Sequence, residues 1–126
     1  TFDCDYARLT CVPANFVQCD VETYPHAFNL LKDYIAYMHI KDALYSNHSV
    51  VPAGYGDGKV KEILGELYNL GYEGFLSIEP HLGKFVGLDQ LEQGMVDPNL
   101  PEGGPRLFGV AVNALNKILS QIEGRV

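Results

Sequence analysis

Tyr34-Ile35-Ala36-Tyr37-Met38-His39-Ile40 decides how the chain reads. The run is almost wholly apolar, shows no helical period and is far too short for a membrane span. A short continuous apolar run of this kind fits a strand covered on both faces, as in a parallel sheet. Lys41-Asp42 follows it at once, so polar groups gather at its carboxyl end.

Outward from this run, strand-like and helix-like segments alternate. Upstream, Arg8-Leu9-Thr10-Cys11-Val12 is β-rich and stopped by Pro13, which predicts a first strand. Pro25 opens a helical stretch with Ala27, Leu30, Leu31 and Tyr34 on one face. Downstream, residues 43–58 read as a long loop ending in Gly54-Tyr55-Gly56-Asp57-Gly58. A periodic helix follows, with Val60, Ile63, Leu64, Leu67 and Leu70 as its apolar stripe, Asp57 as N-cap and Gly71 as C′ residue. Gly74-Phe75-Leu76-Ser77-Ile78-Glu79 predicts a third strand, ended by Pro80. A Gly- and Pro-rich stretch from Gly83 to Pro105 leads to a last helix from Arg106 to Ile122, with Phe108, Ala111, Val112, Leu115, Ile118, Leu119 and Ile122 facing a core. The order β-α-β-α-β-loop-α implies an α/β fold of parallel strands joined by right-handed crossovers.

The 126 residues are 47% apolar and 20% charged, ordinary values for a globular chain of one-domain size. A net charge of −7 opposes electrostatic binding of nucleic acid, which needs clustered Lys and Arg. No apolar run is long enough for a membrane span, and the first residues lack a signal-peptide pattern. Cys4, Cys11 and Cys19 form no C-x-x-C pair and read as reduced thiols of a cytoplasmic protein. Three parallel strands leave two long edges open. The expectation is therefore a piece of something longer, or a chain whose sheet a partner closes.

In α/β folds chemistry sits at the carboxyl ends of strands. Alternation along a strand puts Tyr37, His39 and Lys41 on one face of the second strand, and Phe75, Ser77, Glu79 and His81 on one face of the third. His39 and Glu79 then point into the same interior, where an imidazole and a carboxylate suit a divalent metal. From spacing alone His39 reads rather as a core histidine with satisfied nitrogens. Glu79 is harder to explain structurally, because a carboxylate closing an apolar strand is costly unless paired or ligating. Lys41 and Asp42 read either as a solvated pair or as lining of the site. His26 and His48 read as surface residues. The glycine loop before a helix start is either a tight turn or an anion site, and its spacing matches neither dinucleotide nor P-loop patterns.

Pro13-Ala14-Asn15-Phe16-Val17-Gln18, Met38-His39-Ile40-Lys41-Asp42-Ala43, Val51-Pro52-Ala53-Gly54-x-Gly56-Asp57-Gly58 and Leu76-Ser77-Ile78-Glu79-Pro80-His81, in this order, resemble the sugar phosphate isomerase/epimerase family of xylose-isomerase-like TIM barrels. The resemblance spans residues 1–126 as one partial domain and matches the C-terminal half of a (β/α)8 barrel, about three parallel βα units. It implies a sugar or sugar phosphate as substrate and a divalent metal (Mn, Mg, Co or Zn) at the barrel's carboxyl end. His39 and Glu79 would be metal ligands and Glu79 a catalytic proton-transfer carboxylate. Asn15, Lys41, Asp42 and His81 would contact substrate. The family's aspartate ligand has Val12 in its place, and only two of the four usual ligands have counterparts in this sequence. Related barrels include endonuclease IV, and a metal phosphodiesterase of that kind is a further reading that the acidic charge disfavours. The resemblance leaves two expectations: an isomerase or epimerase fragment, incomplete or inactive by itself, or a non-catalytic half-barrel that closes its sheet by homo-oligomerisation or with a partner chain.

Overall fold

The computed structural model describes residues 8–82, 99, 101 and 104–124. Cys4 and most of the stretch from Gly83 to Pro105 lie outside the described residues. The chain is an α/β structure built on a three-stranded parallel sheet of β1 (Leu9–Cys11), β2 (Ile35–Ile40) and β5 (Leu76–Ile78), with β2 in the centre. Two short strands, β3 (Asp42–Ala43) and β4 (Val50–Val51), pair antiparallel inside the segment read from sequence as a loop.

Parallel strands need long crossovers, and helices supply them here. α1 (Pro13–Gln18) follows β1, α3 (Val60–Asn69) links β2 to β5 through the β3–β4 ribbon, and α4 (Gly104–Ile122) comes last. Met38, Ile40 and Cys11 project from one face of the sheet into a core with Val60, Ile63, Leu64 and Leu67 of α3 and Leu115 and Ile118 of α4. Leu76 and Ile78 pack against the same core. In β2 the register with β1 shifts between Leu9 and Thr10, so Ile35 also reaches the core and Ala36 is the extra residue.

The other sheet face differs. Thr10, Tyr37, His39, Ser77 and Glu79 occupy it and none is buried. Phe75, at the amino end of β5 on that face, is 79% exposed. Parallel sheets are ordinarily covered on both sides, so half of the usual burial is missing among the described residues.

Helix α3 matches its pattern over Val60, Ile63, Leu64 and Leu67, which are buried, while Leu70, expected as the last residue of the stripe, lies just past the helix end and is exposed. It ends in a Schellman motif: Tyr72 N–H donates to Leu67 C=O at 2.9 Å, Gly71 N–H to Tyr68 C=O at 3.1 Å, and Gly71 has φ +79°. Asp57 is not its N-cap. That position belongs to Lys59, and the Asp57 carboxylate accepts the Tyr45 N–H instead, at 2.8 Å. The stretch opened by Pro25 also departs from expectation. It breaks into a π turn (Thr23–Ala27), α2 (Phe28–Leu31) and a 3₁₀ turn (Lys32–Tyr34). Ala27 and Phe28 are buried while Leu30 and Tyr34 are exposed, because β2 begins at Ile35 and a short, broken helix presents only its first turn to the core. Phe108 is exposed too, and Val110 and Ala114 take the core positions beside Ala111, Leu115 and Ile118.

Candidate functional site

Two carboxylates stand at the carboxyl end of the central strand, on opposite sides of it. Glu79 lies just past β5, its N–H donating to the Ile40 C=O at 3.1 Å, which extends the β2–β5 ladder by one step. Strand alternation then turns its side chain to the uncovered face. His39 Nδ1 lies 3.1 Å from Glu79 Oε2. Lys41 Nζ lies 3.9 Å from Glu79 Oε1, and His81 Nε2 lies 3.6 Å from the same oxygen. Four of the residues singled out from sequence, His39, Lys41, Glu79 and His81, are thus gathered by β2 and the end of β5.

Their surroundings are graded. The Lys41 side chain is only 10% exposed, so its ammonium is held beside the carboxylate rather than free in water. His81 is outermost, with a backbone φ of +39°. One step deeper on the same face the Tyr37 and Ser77 hydroxyls hydrogen-bond to each other, and the His39 ring stands edge-on to Tyr37 with centroids 5.0 Å apart. Sequence alternation had placed Tyr37 and Ser77 on this face without assigning them a part. Their contact makes a polar floor under the His39–Glu79 pair.

Asp42 is not in this group. It is fully buried on the opposite side of the strand end. Oδ1 accepts the N–H of Ala43 at 2.9 Å and of Gly58 at 2.8 Å. Oδ2 accepts the N–H of Gly54 at 3.0 Å and of Gly56 at 3.1 Å. The glycine loop therefore does close around an acidic group, and that group is the chain's own side chain. Alternate glycines turn their amides to one side, and a Cβ at Gly56 would meet Asp42 Oδ1 while one at Gly58 would stand 2.7 Å from it. Burial pushes the Asp42 carboxyl above the ordinary range, against the pull of the four backbone donors. The spacing Gly54-x-Gly56-x-Gly58 was the available signal: three amides on one side of a loop need an acceptor.

Asn15 is exposed in α1, close behind the end of β1, and makes no hydrogen bond to the Glu79 group among the described residues. Val12 precedes α1 as its N-cap and offers no ligand atom. His26 and His48 are exposed, and His48 Nε2 lies 2.9 Å from Asp20 Oδ1. Among the described residues, no group of three or more His, Cys, Asp or Glu side chains is arranged to hold a metal ion. A cavity of about 330 Å³ lies away from Glu79, between the glycine loop, the start of α3 and α4, and is lined by Asp42, Gly54, Gly56, Lys59 and Lys117 among others. No described helix is long and apolar enough to cross a membrane.

No family model, curated protein or solved structure matches this chain.

Proposed function

We propose that Glu79 is the proton-transferring carboxylate of a sugar or sugar phosphate isomerase or epimerase whose catalytic end this chain helps to build, as the C-terminal half of a (β/α)8 barrel. The observation that carries the reading is the convergence of Lys41, His39 and His81 on the Glu79 carboxylate at the carboxyl ends of adjacent parallel strands. Glu79 takes the proton from the carbon α to the substrate carbonyl, which leaves an enediolate. A carboxylic acid then returns a proton to the neighbouring carbon in isomerisation, or to the same carbon from the other face in epimerisation. Lys41 places a positive charge beside the developing oxyanion, and His39 and His81 supply further hydrogen-bonding groups.

The divalent metal that the family resemblance implies does not fit the described residues by themselves. A catalytic metal usually has three protein ligands. Here only His39 and Glu79 correspond, they lie 3.1 Å apart, Val12 replaces the aspartate, and the Lys41 ammonium stands 3.9 Å from the carboxylate. On this reading the isolated chain is weakly active or inactive, since the site lacks its remaining strands.

The test is titration of the chain with aldoses, ketoses and their phosphates, with and without Mn²⁺, following amide shifts around Glu79 and wash-in of solvent deuterium. Shifts at residues 39, 41 and 79 that vanish in Glu79→Gln support the reading. If no sugar moves these signals and Glu79→Gln behaves as the parent does, the site has no such role.

Among the described residues one sheet face is uncovered and the edges β1 and β5 have no further strand beside them, which favours a second reading: a non-catalytic half-barrel that closes its sheet with another copy or a partner chain. Sedimentation separates the two. A stable dimer whose formation protects β1 and β5 amides from exchange supports it, and a monodisperse monomer counts against it.

A further inference from the structure

We infer that Asp42 is a positioning residue, whose buried carboxyl group closes the glycine loop 54–58 onto the end of β2 and thereby holds Lys41 and His39 against Glu79. The inference rests on the reading of Glu79 given above and goes beyond it, because Asp42 touches none of the reacting groups.

Three observations join in it. The first is the number of donors: both Asp42 oxygens are filled by backbone amides, two each, three of them from a loop more than ten residues away. The second is space. The absence of side chains at Gly56 and Gly58 leaves room that the carboxyl group fills. The third is where the strand end is tied. Lys41 C=O accepts the Ala14 N–H at 3.1 Å, Ile40 C=O accepts the Glu79 N–H at 3.1 Å, and Ala43 C=O accepts the Asp57 N–H at 2.7 Å. Residues 40–43 are therefore held from α1, from the end of β5 and from the glycine loop at once. Asp42 is the side chain at the centre of these ties. Lys41 precedes it and projects to the other side of the strand end, so a turn of the backbone at Asp42 displaces the Lys41 ammonium from Glu79.

The loop is in effect an anion-binding nest occupied from within. Removal of the carboxyl group leaves amides aimed at a space that the neighbouring cavity of about 330 Å³, lined by Asp42, Gly54 and Gly56, connects to its own volume. A small carboxylate is the matching external ligand.

The experiment uses the chain with labelled His and Glu side chains and reads the cross-relaxation between the His39 ring and Glu79, together with the thermal midpoint. Asp42→Ala is expected to lose the His39–Glu79 cross-peaks, and excess formate is expected to restore them in that variant while leaving the parent unchanged. Asp42→Ala with its cross-peaks intact overturns the inference. So does formate that restores the thermal midpoint without restoring the cross-peaks, since Asp42 would then support the fold alone. Should Asp42→Ala fail to fold, Asp42→Asn and Gly56→Ala disturb the same clamp more mildly. Both must weaken the cross-peaks, and an unchanged pair overturns the inference. The readout needs no turnover, so a chain that never exchanges a substrate proton refutes the proposed reaction and not the positioning.

Discussion

Asp42 and Glu79 are two carboxylates at one end of one sheet, and their surroundings are opposite. Asp42 is fully buried and its four partners are backbone amides at 2.8–3.1 Å. Glu79 is partly exposed and its three partners are side chains at 3.1–3.9 Å. Backbone donors cannot turn away, so a carboxyl group held by them is committed to structure. Side-chain donors can reorient toward a ligand, and the exposed side of Glu79 leaves a ligand room to arrive. The difference separates a group that shapes the site from one free to act in it, although the sequence writes both as an acidic residue near a strand end.

The largest expected effect breaks the first half of that contrast. Asp42→Ala leaves the amides of Ala43 and Gly58 in buried surroundings, and those of Gly54 and Gly56 in partly buried ones, without their acceptor. At about 1–3 kcal/mol for each buried amide that stays unsatisfied, a loss of about 3 kcal/mol is expected in chemical denaturation. Gly56→Ala attacks the same clamp from the loop side. Its methyl group meets Asp42 Oδ1 and the Ala43 carbonyl, and overpacking of this kind costs about 1–3 kcal/mol, measured as a lower denaturation midpoint.

The pH dependence sharpens the contrast. Burial raises the folded-state affinity of Asp42 for its proton above that of the unfolded chain. Its contribution to stability is therefore fully present below the ordinary carboxylate range and declines as pH rises through the folded-state value. Stability of the parent minus that of Asp42→Asn, which does not titrate, should fall with rising pH across that window. A difference that rises instead would mean that the four amides outweigh burial.

The smallest effect belongs to Glu79. Glu79→Gln removes a partly exposed charge, two of whose three pairings are long, and stability should change by no more than about 1 kcal/mol. Any loss of sugar binding or proton exchange in that variant would then be a loss at the site rather than of the fold. A large stability loss would instead place Glu79 with Asp42 among the structural groups.

Cysteine chemistry divides along the same line between buried and open. Burial pushes the Cys11 thiol up to about 11, so it stays protonated at neutral pH, whereas Cys19 is exposed. Iodoacetamide should modify Cys19 well before Cys11, as read by peptide mass.

The parts of the fold that were legible followed from local pattern. The apolar run ending at Ile40 and the period-two alternation around Ser77 are sufficient to propose parallel strands and to bring His39 and Glu79 to one face. The stripe of α3 from Val60 to Leu67 and the glycine after it mark that helix, although Leu70, spaced to continue the stripe, lies past its end and is exposed. The stretch after Pro25 misled, since Leu30, Leu31 and Tyr34 keep helical spacing but the helix is broken and its later turns stay outside the core. Asp57 misled in the same way, because it looks like a cap and serves the Tyr45 amide instead.

Which residues alternate, which helices have an apolar face and which polar groups stand at strand ends can be read from local sequence, because each of these depends on neighbours within a few positions. That Asp42 belongs to the glycine loop and Lys41 to Glu79 emerges from contacts between distant segments. Those assignments depend on which segments, distant along the chain, meet at the end of β2. A carboxyl group becomes an anchor or an active group by the donors around it, and those donors are brought to it only by the folding of the whole chain.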